Sequence, residues 1–171
     1  MKIAGVVVAT ALALALQTTL ARFLVGGTAG IDLVLVVVVY AALSYGPVTG
    51  LITGTFAGLL QDALSSGIIG IGGLAKTVVG FVAGVIGTQF IVGQAPTRFV
   101  VFFAATVLHA ALFIGLYELL DLRDFGAPYA AVAAQAVGNA VVGVVAFKIA
   151  EFLPGAVERR RAGRGGGRLR R

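Results

Sequence analysis

Three groups of side chains in this sequence could do chemistry in apolar surroundings. The first is an acid and a base, Asp62 and Lys76, on either side of the glycine-rich connection from Ser65 to Gly73. A charge at membrane depth costs roughly 2.5–3.5 kcal/mol on insertion scales, so such groups pair with one another or mark a functional site. The spacing predicts a buried ion pair; the plain alternatives are a helix cap at Asp62 and a lysine that snorkels to headgroups. The second group is His109 with Gln135 and Asn139, the last two one helical turn apart on a shared face. These predict a midplane polar cluster of hydrogen-bond partners, or else a path for protons. The third is the run Arg159, Arg160, Arg161, Arg164, Arg168, Arg170 and Arg171, which could attract anionic lipid at about 1 kcal/mol per residue near a surface. No aromatic side chain interleaves these arginines, which argues against a nucleic-acid reader and leaves lipid headgroups as the expected partner.

The requirements of catalysis are missing. There is no GxxxxGK[ST] phosphate loop, no HExxH, no GxSxG and no acidic pair at metal-binding spacing. Cysteine is absent, which removes thiolate nucleophiles, disulfides and cysteine-based metal sites. The expectation is a protein that is not an enzyme and carries no cofactor or metal.

The elements that must position these residues follow from composition. Of the 171 residues, 59% are hydrophobic and 12% charged, against roughly 45–50% and 25% in soluble chains; the mean hydropathy is +1.04. Six membrane helices at about 20 residues each would use roughly 120 residues. Hydropathy is nearly continuous, so glycines, prolines and charges set the boundaries. A first span is expected from Ile3 to Ala21, before a loop at Gly26, Gly27 and Gly30. From Leu33 to Leu60 the chain is apolar for about 42 Å as one helix, longer than the roughly 30 Å hydrocarbon core. Gly46-Pro47 divides it into Leu33 to Tyr45 and Pro47 to Leu60, because proline lacks a donor and biases its predecessor away from helix. Further spans are expected from Leu74 to Ile91, Phe99 to Leu120 and Pro128 to Leu153. The fold class is all-α: a transmembrane domain over 1–155 and a disordered arginine- and glycine-rich tail over 156–171.

An even number of spans puts both termini on one side. The formal charge is +6, and seven of the 13 basic residues follow Glu158, which predicts cytoplasmic termini by the positive-inside rule. Asp32, Asp62, Glu118, Asp121 and Asp124 then fall outside with Arg22 and Arg123, and Lys76 is the exception to that asymmetry. Tyr40, Tyr45, Tyr117 and Tyr129 lie near span ends and read as interfacial belt residues. Gly46, Gly50, Gly54 and Gly58 recur every fourth residue, and a further step of four reaches Asp62. Gly72, Lys76, Gly80 and Gly84 repeat the spacing in the next helix. Stripes without side chains let backbones approach in lipid, either within the chain or against a partner.

The segment from Asp32 to Gly84 resembles the rod shape-determining protein MreD family. The resemblance rests on Asp32-Leu33 opening a short helix, on Gly50, Gly54 and Gly58 leading into Leu59-Leu60-Gln61-Asp62, and on Gly70-Ile71-Gly72-Gly73-Leu74-Ala75-Lys76-Thr77 leading to Gly80. It implies a non-catalytic, multi-pass inner-membrane subunit of the elongasome, which builds lateral-wall peptidoglycan and gives cells their rod shape. The partners it implies are MreC, the glycosyltransferase RodA and a class B penicillin-binding transpeptidase, directly or through MreC, and indirectly the MreB filament. The family is also similar in fold to the six-helix S-components of energy-coupling-factor transporters. That likeness supplies the alternative, a vitamin-binding subunit that docks through Ala9, Ala13, Ala11 and Ala15.

Overall fold

The computed structural model describes residues 2–23, 30–65, 68–90, 92–122, 125–126 and 128–165. Among these are six helices and no strand: α1 (Lys2–Phe23), α2 (Leu33–Tyr45), α3 (Pro47–Leu64), α4 (Ile71–Gln89), α5 (Ala95–Leu119) and α6 (Tyr129–Gly165). Three segments, Ile71–Gln89, Ala95–Leu119 and Tyr129–Phe152, are long and apolar enough to cross a membrane. Gly26, Gly27, Arg123, Asp124, Arg168, Arg170 and Arg171 lie outside the described residues.

The break at Gly46-Pro47 falls where the sequence places it. Gly46 adopts φ +94°, a conformation that favours glycine, and Pro47 takes the first position of α3, where its missing N–H is not needed. Elsewhere the helices start or stop a turn away from the expected residues. α3 continues to Leu64 rather than Leu60, and α4 begins at Ile71 rather than Leu74, so the connection between them is shorter than the glycines suggest. α6 stays helical through Pro154 to Gly165, past the expected end of the span at Leu153.

α2 is the hub, although it is the shortest helix. Its 13 residues make about 20 Å, and every other helix touches it. α1, α3, α4, α5 and α6 form an arc around it, each touching the next, and α1 and α6 do not meet among the described residues. In the apolar run of α2, Val34, Leu35, Val36, Val38, Val39, Ala41 and Ala42 are buried, and one face, Leu33, Val37 and Tyr40, is partly buried. One side packs with Val79, Ala83, Val101, Phe102 and Ala140; the other meets Ala13, Leu14 and Ala57.

α3 and α4 form the tightest pair. A Cβ on Gly50 would strike the Gly80 carbonyl, one on Gly54 the Lys76 carbonyl, and one on Gly58 the Cα of Gly73. Gly84 faces Pro47 in the same way, and the hydroxyls of Thr55 and Thr77 bond across the seam at 2.8 Å. The glycine stripes thus meet each other inside the chain. Gly46 forms the α2–α3 corner, and its carbonyl carbon lies against Gly84 beside Pro47.

Candidate functional site

One end of α2 lies inside the protein, where Asp32 is 4% exposed. It is the N-terminal end. Gly30 and Ile31 run against Gly138 of α6, nine residues into that helix or about 14 Å from its start. A helix N-terminus carries unpaired N–H groups and a partial positive charge, and burying it requires acceptors. Asp32 caps it: one carboxylate oxygen accepts from Leu35 N–H at 2.9 Å. Gln17 of α1 accepts from Val34 N–H at 3.3 Å, and the side-chain oxygen of Asn139 accepts from Asp32 N–H at 2.8 Å.

That cap is itself a buried carboxylate, and α4 supplies its counter-ion. Lys76 Nζ lies 2.9 Å from the second Asp32 oxygen, with the two side chains 4% and 6% exposed. The same ammonium is 3.1 Å from His109 Nε2. An ammonium only donates, so Nε2 accepts and the imidazole proton resides on Nδ1. Asn139 continues the network by donating to Thr106 Oγ1 at 3.1 Å, and Thr106 donates to the Phe102 carbonyl at 2.9 Å. Five helices therefore converge through Gln17, Asp32, Lys76, Thr106, His109 and Asn139.

This arrangement corrects the pairing read from the sequence. Lys76 is not bound to Asp62. Asp62, at the last turn of α3, turns toward the start of α4 and accepts from Gly70 N–H at 2.9 Å and Gly73 N–H at 3.0 Å. It is a helix cap, and its charge is matched by backbone donors and the α4 dipole rather than by an ammonium. Lys76 is buried and paired within the protein, which removes it from the loop-charge asymmetry as an exception. The polar cluster is also redrawn: His109 and Asn139 enter it through Lys76 and Asp32, whereas Gln135 is half-buried one turn away on α6. Tyr117 is buried rather than interfacial, its hydroxyl accepting from Ile68 N–H at 3.1 Å. The rings of His109, Phe113 and Tyr117 follow one turn apart along α5, the first two stacked with centroids 5.9 Å apart and the last two tilted at 4.9 Å, closing the cluster toward the α5–α6 turn.

Sequence reasoning missed Asp32, Thr106 and Gln17 as site residues. For Asp32 a signal existed. An aspartate directly before an apolar run is an N-cap signature, and a short helix apolar nearly throughout is one that protein surrounds. A cap at depth needs a cation, and Lys76 is the one in the helix that packs beside it.

Chemically the cluster is closed. Its acid, base and imidazole are each more than nine-tenths buried and engaged with one another, so the arrangement fixes helix positions and offers no exposed reactive atom. Among the described residues no group of acids and histidines could hold a metal ion. A second ionic site lies at the other end of α5. Arg98 donates to Glu151 Oε1 at 2.6 Å and to the Val92 carbonyl at 3.2 Å, with its guanidinium 4.3 Å from the centre of the Phe147 ring.

A family model described as rod shape-determining protein MreD matches residues 2–151. No curated protein and no solved structure matches the chain.

Proposed function

The chain belongs to the MreD family of rod shape-determining proteins, and from that premise we propose that it is a non-catalytic subunit of the rod complex in the bacterial cytoplasmic membrane. In this reading all six helices cross the bilayer, both termini are cytoplasmic, and the arginines after Glu158 rest on anionic headgroups. The protein holds the membrane helix of MreC, and through MreC supports RodA, a class B penicillin-binding transpeptidase and, indirectly, MreB. Its contribution to lateral peptidoglycan synthesis is a coupling free energy between partners rather than bond chemistry. The observation that carries this reading is the closed charged cluster: the residues able to do acid–base work are spent on locking five helices together.

The same packing suggests where the partner helix lies. The glycines of α3 and α4 are consumed by each other, which leaves the sector of the arc between α1 and α6. Both helices flanking it expose apolar side chains, Val7, Val8, Leu12 and Leu16 on one and Val137, Val141, Val145 and Ile149 on the other. A single helix seated there would complete the ring around α2. Photo-crosslinking side chains placed along α1 and α6 are expected to capture MreC in intact cells, whereas the exposed positions Phe56 of α3 and Phe81 of α4 are not. Capture from Phe56 and Phe81 alone would move the interface to the seam; no capture of MreC from any position would remove the proposal.

A further inference from the structure

The end of the bundle where α5 turns into α6 carries a feature that the cluster and the partner helix do not use. Between the two helices runs a groove of about 460 Å³. Its floor is apolar, with Phe103, Val107 and Ile114 from α5 and Val132 from α6, and the small residues Ala111 and Gly115 give it depth. At its mouth stand Glu118 and Tyr129. The Glu118 carboxylate has no hydrogen-bond or ion-pair partner among the described residues, and Asp121 follows it three residues later in the chain. Exposed Leu119, Leu120 and Leu122 surround these acids, the mixture of apolar and charged groups found where hydrocarbon gives way to headgroups.

Size and charge select the occupant. From Phe103 to Glu118 the groove follows about 22 Å of helix, more than half of a roughly 30 Å hydrocarbon core. A helix of about 10 Å diameter over that length fills roughly 1,700 Å³, well above the 970 Å³ of all empty space in and above the groove, so a helix would lie on the groove and not in it. A single acyl chain is far thinner than a helix. A lipid bearing only a phosphate would set a negative group against Glu118, whereas a headgroup ammonium would meet a carboxylate that has no partner among the described residues. We propose that this groove binds one chain of an amine-headed phospholipid, with the ammonium on Glu118 and the phosphate or ester region beside Tyr129.

The test uses the full chain, purified and exchanged into an equal mixture of phosphatidylethanolamine and phosphatidylglycerol with matched chains, with retained lipid counted by native mass spectrometry. One phosphatidylethanolamine per chain is expected, favoured at least threefold over phosphatidylglycerol. Glu118→Gln should bring that ratio to about one while lipid still binds. Nothing lies within 4 Å of a Cβ at Gly115, so Gly115→Leu should fold and melt as the parent does, yet fill the groove and lose the retained lipid of either kind. Equal retention of the two lipids by the parent protein, a preference that survives Glu118→Gln, or a lipid that survives Gly115→Leu would each overturn the proposal. So would a co-purifying polypeptide crosslinked from Ile114 in place of lipid.

Discussion

α4 is held on two faces by opposite means. Toward α3 the chain removes side chains until backbone meets backbone; toward α2 and α5 it buries an ammonium, a carboxylate and an imidazole. Lys76 belongs to both, its carbonyl against Gly54 and its Nζ against Asp32 and His109. In lipid, apolar surface gains little by leaving one apolar medium for another, so helices associate through close packing and interhelical hydrogen bonds. The seam uses the first and the cluster the second. They should fail differently: the seam through added volume, whatever its polarity, and the cluster through lost polarity at constant volume.

The largest effect is expected at the cluster. Lys76→Met keeps the side-chain length but leaves Asp32 buried without its counter-ion, a loss of about 3–5 kcal/mol, read as a fall in the folded fraction by size-exclusion chromatography and thermal melting in detergent. Asp32→Asn in that background should restore part of the loss, because the uncompensated charge is then gone. Asp62→Asn in the same background should restore nothing. Rescue by Asp62→Asn and not by Asp32→Asn would return the ion pair to the partner that sequence spacing suggests.

The seam comes next. Gly54→Ala adds one methyl group against the Lys76 carbonyl and the Thr77 amide, and neither backbone can yield alone. About 1–3 kcal/mol of destabilisation is expected. Gly115→Ala, the same change on an open helix face, should be neutral or stabilising by up to about 1 kcal/mol. Equal melting temperatures for the two variants would mean that the seam is looser than its geometry.

The smallest effect separates burial from charge. Arg98 and Glu151 form an ion pair as short as that of Lys76 and Asp32, but the Glu151 side chain is 56% exposed. Water can replace either partner there, and exposed pairs contribute little. Glu151→Gln should leave the melting temperature unchanged within error, and Arg98 would keep the Val92 carbonyl and the Phe147 face. A loss approaching that of Lys76→Met would show that pairing, and not desolvation, sets the strength of both sites.

Local signals were legible in the sequence and nonlocal ones were not. The Gly46-Pro47 corner, which ends α2, follows from backbone restrictions that act over two residues, and the start of α2 from a charged residue directly before an apolar run. The spacing of Gly50, Gly54 and Gly58 against Gly80 and Gly84 shows which faces lack side chains, and sequence neighbours in a helical hairpin meet by default. The partner of Lys76 was misread because the choice between Asp62 and Asp32 depends on where α2 begins in depth. Asp62 is nearer along the chain, but the tight turn into α4 aims its carboxylate at the N–H groups of Gly70 and Gly73. Asp32 is farther along the chain and nearer in space, because α2 sits at the centre with its cap sunk beside α4. Thr106 carries no distinguishing pattern in an apolar helix; only the position of Asn139 gives it a role.

The ion pair between helices two and four also bears on how the protein enters its membrane. A lysine near the start of a hydrophobic segment raises the cost of leaving the insertion channel by roughly 2.5–3.5 kcal/mol if it arrives alone. In the order of translation Asp32 is made first, so the carboxylate is already in place when the ribosome delivers the fourth helix, and the histidine follows one helix later. Biogenesis then proceeds with each polar group emerging to an earlier-made partner, and moving the second helix behind the fourth in a permuted gene would expose the lysine to lipid before its acid exists.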